Sequence, residues 1–302
     1  MHSAQNDKPD VIIREVALRD GLQSEPGFVA TSDKLRLIHA LAAAGVVLLE
    51  TTSFVSPRAI PQLRDARELM DRVPRGWLCH EVMVPNLRGA REAADAGADR
   101  LIVFVSASET HNRKNVGCSI EQSMADLGAI SGLAAAGNMA VAAAIATAFG
   151  CPYEGQVDRS AVLAIARRFV QAGADRITLA DTTGMANPKQ ITQTVAFFKD
   201  HLPHTQICLH LHNNRGIAAA NLYAGYLAGV RMFDTSLGGI GGCPNVPRAA
   251  GNLATEDVAN MFEALGVRTG MDIDELIRAA GLLESILGRT LPGQVMKSGA
   301  SA

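Results

Sequence analysis

Ala172-Gly-Ala-Asp-Arg176 runs directly into Ile177-Thr-Leu-Ala-Asp181, and the same five residues stand at Ala96-Gly-Ala-Asp-Arg100 ahead of Leu101-Ile-Val-Phe-Val-Ser106. An Ala-Gly pair before an apolar run marks the end of a helix, because glycine accepts the left-handed conformation that closes one. Ala44-Gly45-Val46, Ala136-Gly137-Asn138 and Ala228-Gly229-Val230 repeat that junction. One βα unit is therefore used again and again, at spacings too uneven for a solenoid. Working outward, eight β-rich runs can be marked: Val11 to Arg19, Val46 to Phe54, Trp77 to Val84, Arg100 to Ala107, Ala140 to Phe149, Arg176 to Asp181, Gln206 to His212 and Met232 to Leu237. Each is followed by enough chain for a helix. Ser32-Asp33 is expected to cap Lys34 to Ala44, Ser119-Ile-Glu-Gln122 has the form of a capping box, and Pro188 suits the first turn of Lys189 to Lys199.

Eight apolar strands alternating with helices predict a parallel sheet covered on its outer face, an α/β fold of the (β/α)8 TIM-barrel type. A doubly wound open sheet is the rival. The barrel is favoured because Asp20, Glu50, Asp181, His210 and His212 fall near the C-terminal ends of their runs, the face where barrel enzymes assemble sites. Residues 1–302 are expected to form a single catalytic barrel domain, with an additional C-terminal helix at about 272–287 packed beside it and a loosely ordered tail from Pro292 to Ala302.

Composition fits a cytoplasmic enzyme. Of 302 residues 48% are hydrophobic, and 28 basic side chains nearly balance 30 acidic ones, which gives no reason to expect nucleic acid or a membrane surface as partner. Apolar stretches such as Ala140 to Phe149 fall short of the roughly 20 residues that span a bilayer. The polar stretch Met1 to Asp10 holds no export signal. Cys79, Cys118, Cys151, Cys208 and Cys243 are scattered without a Cys-x-x-Cys pair, so neither a disulfide framework nor a structural zinc site is expected.

Chemistry concentrates at three strand ends. His210-Leu-His212 lies on a predicted strand, where residues two apart share a face, so the two imidazoles make a clamp for a metal. Arg19-Asp20 offers a carboxylate to complete it. Gly238-Gly-Ile-Gly-Gly-Cys-Pro244 carries a thiol on a loop with four glycines, followed by Gly251-Asn252. Each feature has a plainer reading: two partly buried histidines, a strand-end ion pair at Arg19-Asp20, a packed Cys243, and Glu50 as the buried partner of a neighbouring arginine. Asp181-Thr-Thr-Gly184 is expected to cap the next helix or to order the barrel mouth, and is left outside the catalytic set. His80, His111, His201 and His204, together with the four other cysteines, are assigned to structure, solvent or packing.

Arg19-Asp-Gly-Leu-Gln23, Glu50-Thr-Thr-Ser-Phe-Val-Ser-Pro57, Cys151-Pro-Tyr-Glu-Gly155, His210-Leu-His212, Gly241-Gly-Cys-Pro244 and Gly251-Asn-Leu-Ala-Thr-Glu-Asp257 together resemble the 3-hydroxy-3-methylglutaryl-CoA lyases, barrel metallolyases that share the strand-one Arg-Asp motif. The resemblance runs from about Val11 to Leu287. It implies that Asp20, His210, His212 and Asn252 ligate a divalent cation, Mg²⁺ or Mn²⁺, and that Arg19, Glu50, Cys243 and His210 are catalytic. It further implies an acyl-CoA thioester as substrate, retro-Claisen cleavage to acetyl-CoA and acetoacetate, a place in leucine degradation, and a homo-oligomer. Such cleavage needs loss of the hydroxyl proton, a cation for the enolate and an acid for the new carbon, which these residue types can supply. Two histidines would by themselves also admit zinc.

Departures from the family pattern concern the substrate. Asn213-Asn-Arg-Gly216 replaces Asp-Thr-Tyr-Gly, closer to the related condensing synthases. Val141-Ala-Ala-Ala144 replaces Val-Arg-Gly-Tyr, Asn245 follows Cys243-Pro244 in place of an aromatic residue, and Pro26 stands where a lysine is common. These changes predict an altered acyl pocket, with citramalyl-CoA or a longer 3-hydroxy-3-alkylglutaryl-CoA as alternative substrates. Two other readings are a Claisen condensing synthase of the isopropylmalate or homocitrate type, which usually carries a large extra C-terminal region, and a catalytically inactive barrel that binds a metal or an acyl-CoA.

Overall fold

The computed structural model describes residues 8–242 and 251–300. Eight parallel strands close on themselves in chain order: β1 (Ile12–Glu15), β2 (Leu48–Ser53), β3 (Cys79–Val84), β4 (Arg100–Ser106), β5 (Ala140–Ala146), β6 (Arg176–Asp181), β7 (Gln206–Leu211) and β8 (Met232–Thr235). The last strand returns to the first through four register pairs, Ile12 with Met232 to Glu15 with Thr235. That closure rules out the open sheet and bears out the TIM barrel.

The two faces of the strands have separate fates. Outward residues such as Val103, Val105, Val141, Ile145, Leu179 and Leu209 are buried in the core shared with the helices. The inward residues of the lower barrel are charged. Arg14 binds Asp234 through Nε at 2.8 Å and Glu81 through Nη1 at 2.9 Å, and Arg176 also grips Glu81. Arg100 Nε adds a third cation 3.0 Å from Glu81. Such groups are tolerable inside a protein only when charges and lone pairs are matched, and here each carboxylate faces at least one guanidinium.

Several local expectations change. The first strand stops at Glu15, and residues Ala17–Gly21 form a widened helical turn in which the amides of Asp20 and Gly21 both donate to the carbonyl of Val16, at 2.8 and 3.2 Å. The first long helix spans Thr31–Ala43 and has no side-chain cap, because Thr31 Oγ1 is bound to Asp65 at 2.9 Å and Asp33 already lies in the first turn. The capping box at Ser119 and Gln122 is present, and Asn187 caps Pro188–His201 with Pro188 in its first turn. Gly45, Gly97, Gly173 and Gly229 have φ of 85°, 74°, 97° and 90°, as helix-closing glycines should. After Ala136 the left-handed position passes from Gly137 to Asn138, φ 52°, a residue whose short amide tolerates it.

The C-terminal helix is Ile273–Leu287, capped by Asp272, with Leu276, Ala279, Ala280 and Leu283 buried. The chain beyond Pro292 is not loose through residue 300. Gly293 donates to the carbonyl of Gly238 at 3.0 Å, and Asp257 accepts from the amides of Gln294 and Val295 at the start of the short helix Val295–Ser298. A carboxylate on free helical amides is a favourable arrangement, and it pins the tail to the base of the glycine loop. Among the described residues no helix is long and apolar enough to cross a membrane.

Candidate metal centre

The widened turn after β1 lifts Arg19 and Asp20 to the barrel mouth, a role for which such turns recur at functional sites. From the other side, β7 presents His210 and, one step past the strand, His212. Asn252 arrives through an antiparallel bridge to His212, with Asn213 donating to the carbonyl of Gly251 at 3.0 Å. Glycine is required at two places here. A Cβ on Gly251, φ 87°, would collide with the carbonyl of Gly239, and one on Gly241, φ 113°, would lie 2.6 Å from the Asn252 amide nitrogen.

The expected ligands therefore converge. His210 Nε2 and His212 Nε2 lie 3.0 Å apart, and Asp20 Oδ2 is 3.8 and 3.6 Å from them. One ligand atom from each of Asp20, His210 and His212 falls within 4.8 Å of the others. The Asn252 amide nitrogen donates to Asp20 Oδ2 at 2.7 Å and to the carbonyl of Ile240 at 3.1 Å, while its Oδ1 is buried with no hydrogen-bond partner among the described residues.

The partners behind the rings decide which nitrogen is free. His210 Nδ1 is 3.1 Å from Asp234 Oδ2 and His212 Nδ1 is 2.9 Å from the carbonyl of Thr182. An ionised carboxylate and a carbonyl can only accept, so both Nδ1 atoms carry hydrogen, and the two Nε2 atoms are the ring nitrogens left to offer lone pairs to one space. Two lone pairs, a carboxylate and an orphaned amide oxygen make a site that fits a divalent cation. Burial alone would raise the Asp20 carboxyl, but the Arg19 guanidinium, with His212 and His210, holds it well below the usual carboxylate range. Burial would likewise lower His212, and the hydrogen bond to Asp20 overrides it and raises the imidazole.

Arg19 and Glu50 form a two-pronged pair, Nε to Oε1 at 2.8 Å and Nη2 to Oε2 at 3.0 Å, while Arg19 Nη1 donates to Asp20 Oδ1 at 2.8 Å. The plain readings of both motifs therefore hold, and the ion pairs fix the direction in which the guanidinium points. Cys243 lies outside the described residues. Asp181 accepts from the amides of Met185 and Ala186 at 2.9 and 3.1 Å, so it orders the loop at the barrel mouth, while Asn187 and not Asp181 caps the helix that follows; burial pushes its carboxyl up. His80 is structural, bridging Thr51 Oγ1 at 2.8 Å and the carbonyl of Pro74 at 2.7 Å. Asp234 is the residue that sequence reasoning missed. Its signal was a lone acid inside Met232-Phe-Asp-Thr235, at an inward position two residues from Met232.

The HMGL-like family model matches residues 10–283. The hydroxymethylglutaryl-CoA lyase YngG of Bacillus subtilis is 40% identical over 292 residues, covering 95% of this chain and 98% of that protein. An (R)-citramalyl-CoA lyase of Chloroflexus aurantiacus is 41% identical over 300 residues, with 96% and 95% covered. The structure of an HMG-CoA lyase from Acinetobacter baumannii in complex with coenzyme A and 3-methylmalate superposes with a TM-score of 0.93 at 41% identity, covering 97% of this chain and 96% of that one.

Proposed function

The chain belongs to the HMGL-like family, and on that premise we propose that it is a divalent-metal-dependent acyl-CoA lyase that cleaves 3-hydroxy-3-methylglutaryl-CoA to acetyl-CoA and acetoacetate. The observation that carries the reading is the convergence of two Nε2 lone pairs, the Asp20 carboxylate and the orphaned Asn252 Oδ1 on one space at the barrel mouth. Similarity to relatives named as hydroxymethylglutaryl-CoA lyases over nearly the whole chain supports the substrate class.

Asp20, His210, His212 and Asn252 would hold the ion, with Mg²⁺ or Mn²⁺ favoured by the two oxygen donors. When bound it supplies Lewis acidity that lowers the pKa of a substrate hydroxyl. In the reaction the C3 hydroxyl loses its proton, the C2–C3 bond breaks, C3 becomes the ketone of acetoacetate, and the electron pair passes to a thioester enolate that takes a proton at C2. Arg19, held flat by Glu50 and kept cationic by it, offers N–H groups to the enolate oxygen. His210 has a single Nε2 lone pair, so its contribution is exercised as a ligand. Cys243 is assigned the proton that C2 receives. We further read the chain as one catalytic unit that acts in the cytoplasm as a homo-oligomer, with leucine degradation as its setting.

A second reading, cleavage of citramalyl-CoA, is favoured by the relative bearing that name, which is 41% identical against 40% for the hydroxymethylglutaryl-CoA lyase of Bacillus subtilis. The test is acetyl-CoA release from a panel of hydroxyacyl-CoA thioesters before and after exhaustive chelation. Cleavage of hydroxymethylglutaryl-CoA that vanishes on chelation and returns with Mg²⁺ or Mn²⁺ is expected. Full turnover with metal analysis showing an empty site removes the metal-dependent reading.

A further inference from the structure

The barrel mouth has two unlike walls. Asp20, His210 and His212, with Asp234 behind the His210 ring, stand on β1, β7 and β8 or just beyond them, and closure in chain order sets β3, β4 and β5 across the barrel from these strands. The inward residues of that far wall, above the level of Glu81 and Arg100, are Met83, Ile102, Phe104, Ala142, Ala144 and Ala146. None of them belongs to the core packed under the helices, as the alternation of strand side chains requires. Met83, Phe104, Ala144 and Ala146 are nevertheless partly exposed, whereas Glu50, Asp234, His210 and His212 are buried. Open space therefore reaches the apolar wall from inside the mouth. Its middle is floored by the methyl groups of Ala142, Ala144 and Ala146, with Ala144 in register between Phe104 and Thr178, whose hydroxyl marks the polar edge of the wall. Ser106 adds no free polar group, its hydroxyl being tied to Thr147 at 2.7 Å.

Resting on the lyase reading above, we propose that this wall is the pocket for the C3 branch of the substrate and that it selects a 3-hydroxyacyl-CoA whose branch is an apolar chain longer than methyl. C3 of such a thioester carries a hydroxyl, the arm to the thioester carbonyl, an arm to the distal carboxylate, and one alkyl branch. The three oxygen-bearing arms match the cation site and Arg19. The alkyl branch is the group left to point at Phe104, Met83 and the alanines, and burying each added methylene there is favourable.

The experiment measures kcat/KM for acetyl-CoA release from 3-hydroxy-3-alkylglutaryl-CoA thioesters with methyl, propyl and hexyl branches, using the full-length metal-loaded protein. The hexyl compound is expected to exceed the methyl one by about tenfold or more, the scale on which apolar pockets discriminate chain length. Ala144→Phe should cut that ratio by at least about tenfold, and Ala146→Val, a smaller change in case the first variant does not fold, should cut it in the same direction. In parallel, calorimetric affinities for the unreactive thioesters lacking the 3-hydroxyl should rise with branch length in the native protein and flatten in the variants. If no thioester is cleaved while affinity still rises with length, the lyase reading fails and the pocket stands. A flat or falling preference in the native protein, or an unchanged ratio in both folded variants, overturns the pocket.

Discussion

Asp234 Oδ2 lies 3.1 Å from His210 Nδ1 while Arg14 grips the same carboxylate from the barrel interior, with Nε 2.8 Å from Oδ1. The charged plug below the site and the candidate metal ligand above it are thus one structure. Arg14 fixes Asp234, Asp234 fixes the hydrogen of His210, and His210 is left with its lone pair at Nε2. Arg14 also lies 3.6 Å from Glu50, which aims Arg19, so a single buried guanidinium stands behind both the candidate ligand set and Arg19.

Asp234→Asn should therefore weaken divalent-ion binding by about ten- to a hundredfold, the usual cost of losing a carboxylate behind a ligating histidine. Mn²⁺ titration followed by electron paramagnetic resonance reads the affinity directly. Nitrogen NMR of the imidazoles should show His210 losing its fixed Nδ1–H form. A dissociation constant within twofold of the native value would mean that Asp234 only packs.

The plug itself makes a stability prediction. Glu81 is fully buried among Arg14, Arg176 and Arg100, and these cations hold its carboxyl below the usual range although burial pushes the other way. Glu81→Ala strands them without their shared partner, and removal of one member of a buried pair costs about 3–5 kcal/mol. Urea unfolding monitored by circular dichroism should show a loss of that size. A change under about 1 kcal/mol would show that water or a neighbouring acid takes over the cations.

The barrel was legible because the Ala-Gly junctions and apolar runs repeat in a form that only closely spaced βα units explain. His210 and His212 were legible because a period of two puts them on one face. What stayed hidden was long-range. Nothing near Arg14, Glu81 or Arg176 in sequence hints that they meet inside the barrel, since their partners lie 67 to 220 residues away. Asp234 was overlooked for the same reason, its meaning coming from a histidine on the next strand. The tail beyond Pro292 was misjudged because its anchors are single backbone bonds to Asp257 and Gly238, which leave no pattern in side-chain polarity.

Cys243→Ser should lower kcat by at least about a hundredfold if the thiol gives its proton to C2 of the enolate, the low end for general acid–base catalysis. KM should move far less, because the substitution keeps size and removes acidity. Steady-state kinetics on the best thioester of the panel decide it, and an unaltered kcat would pass the proton to another group.

Glu256 links stability to pH at the base of the glycine loop. Its Oε2 accepts from the amide of Gly238 at 3.0 Å, its Oε1 is buried without a partner, and burial raises its carboxyl to about 8. Burial raises neighbouring Glu15 to about 7, although Thr255 and the amides of Ala17 and Leu237 bind it. Both groups hold a proton more tightly folded than unfolded, where a glutamate titrates near 4.5. Their contribution is fully present below that value and is lost as pH rises through about 7 and 8. Asp20, Asp234 and Glu81, shifted downward, already contribute in full above the unfolded carboxylate range, so they leave this window flat. Unfolding free energy of the metal-saturated protein should therefore fall from pH 5 to pH 8, by at most about 1.4 kcal/mol per pH unit for each proton released. Glu256→Gln, which cannot ionise, should flatten the upper part of that fall. If native protein and variant show the same slope in urea titrations across the window, Glu256 is already ionised in the fold and its unpartnered oxygen is met by solvent.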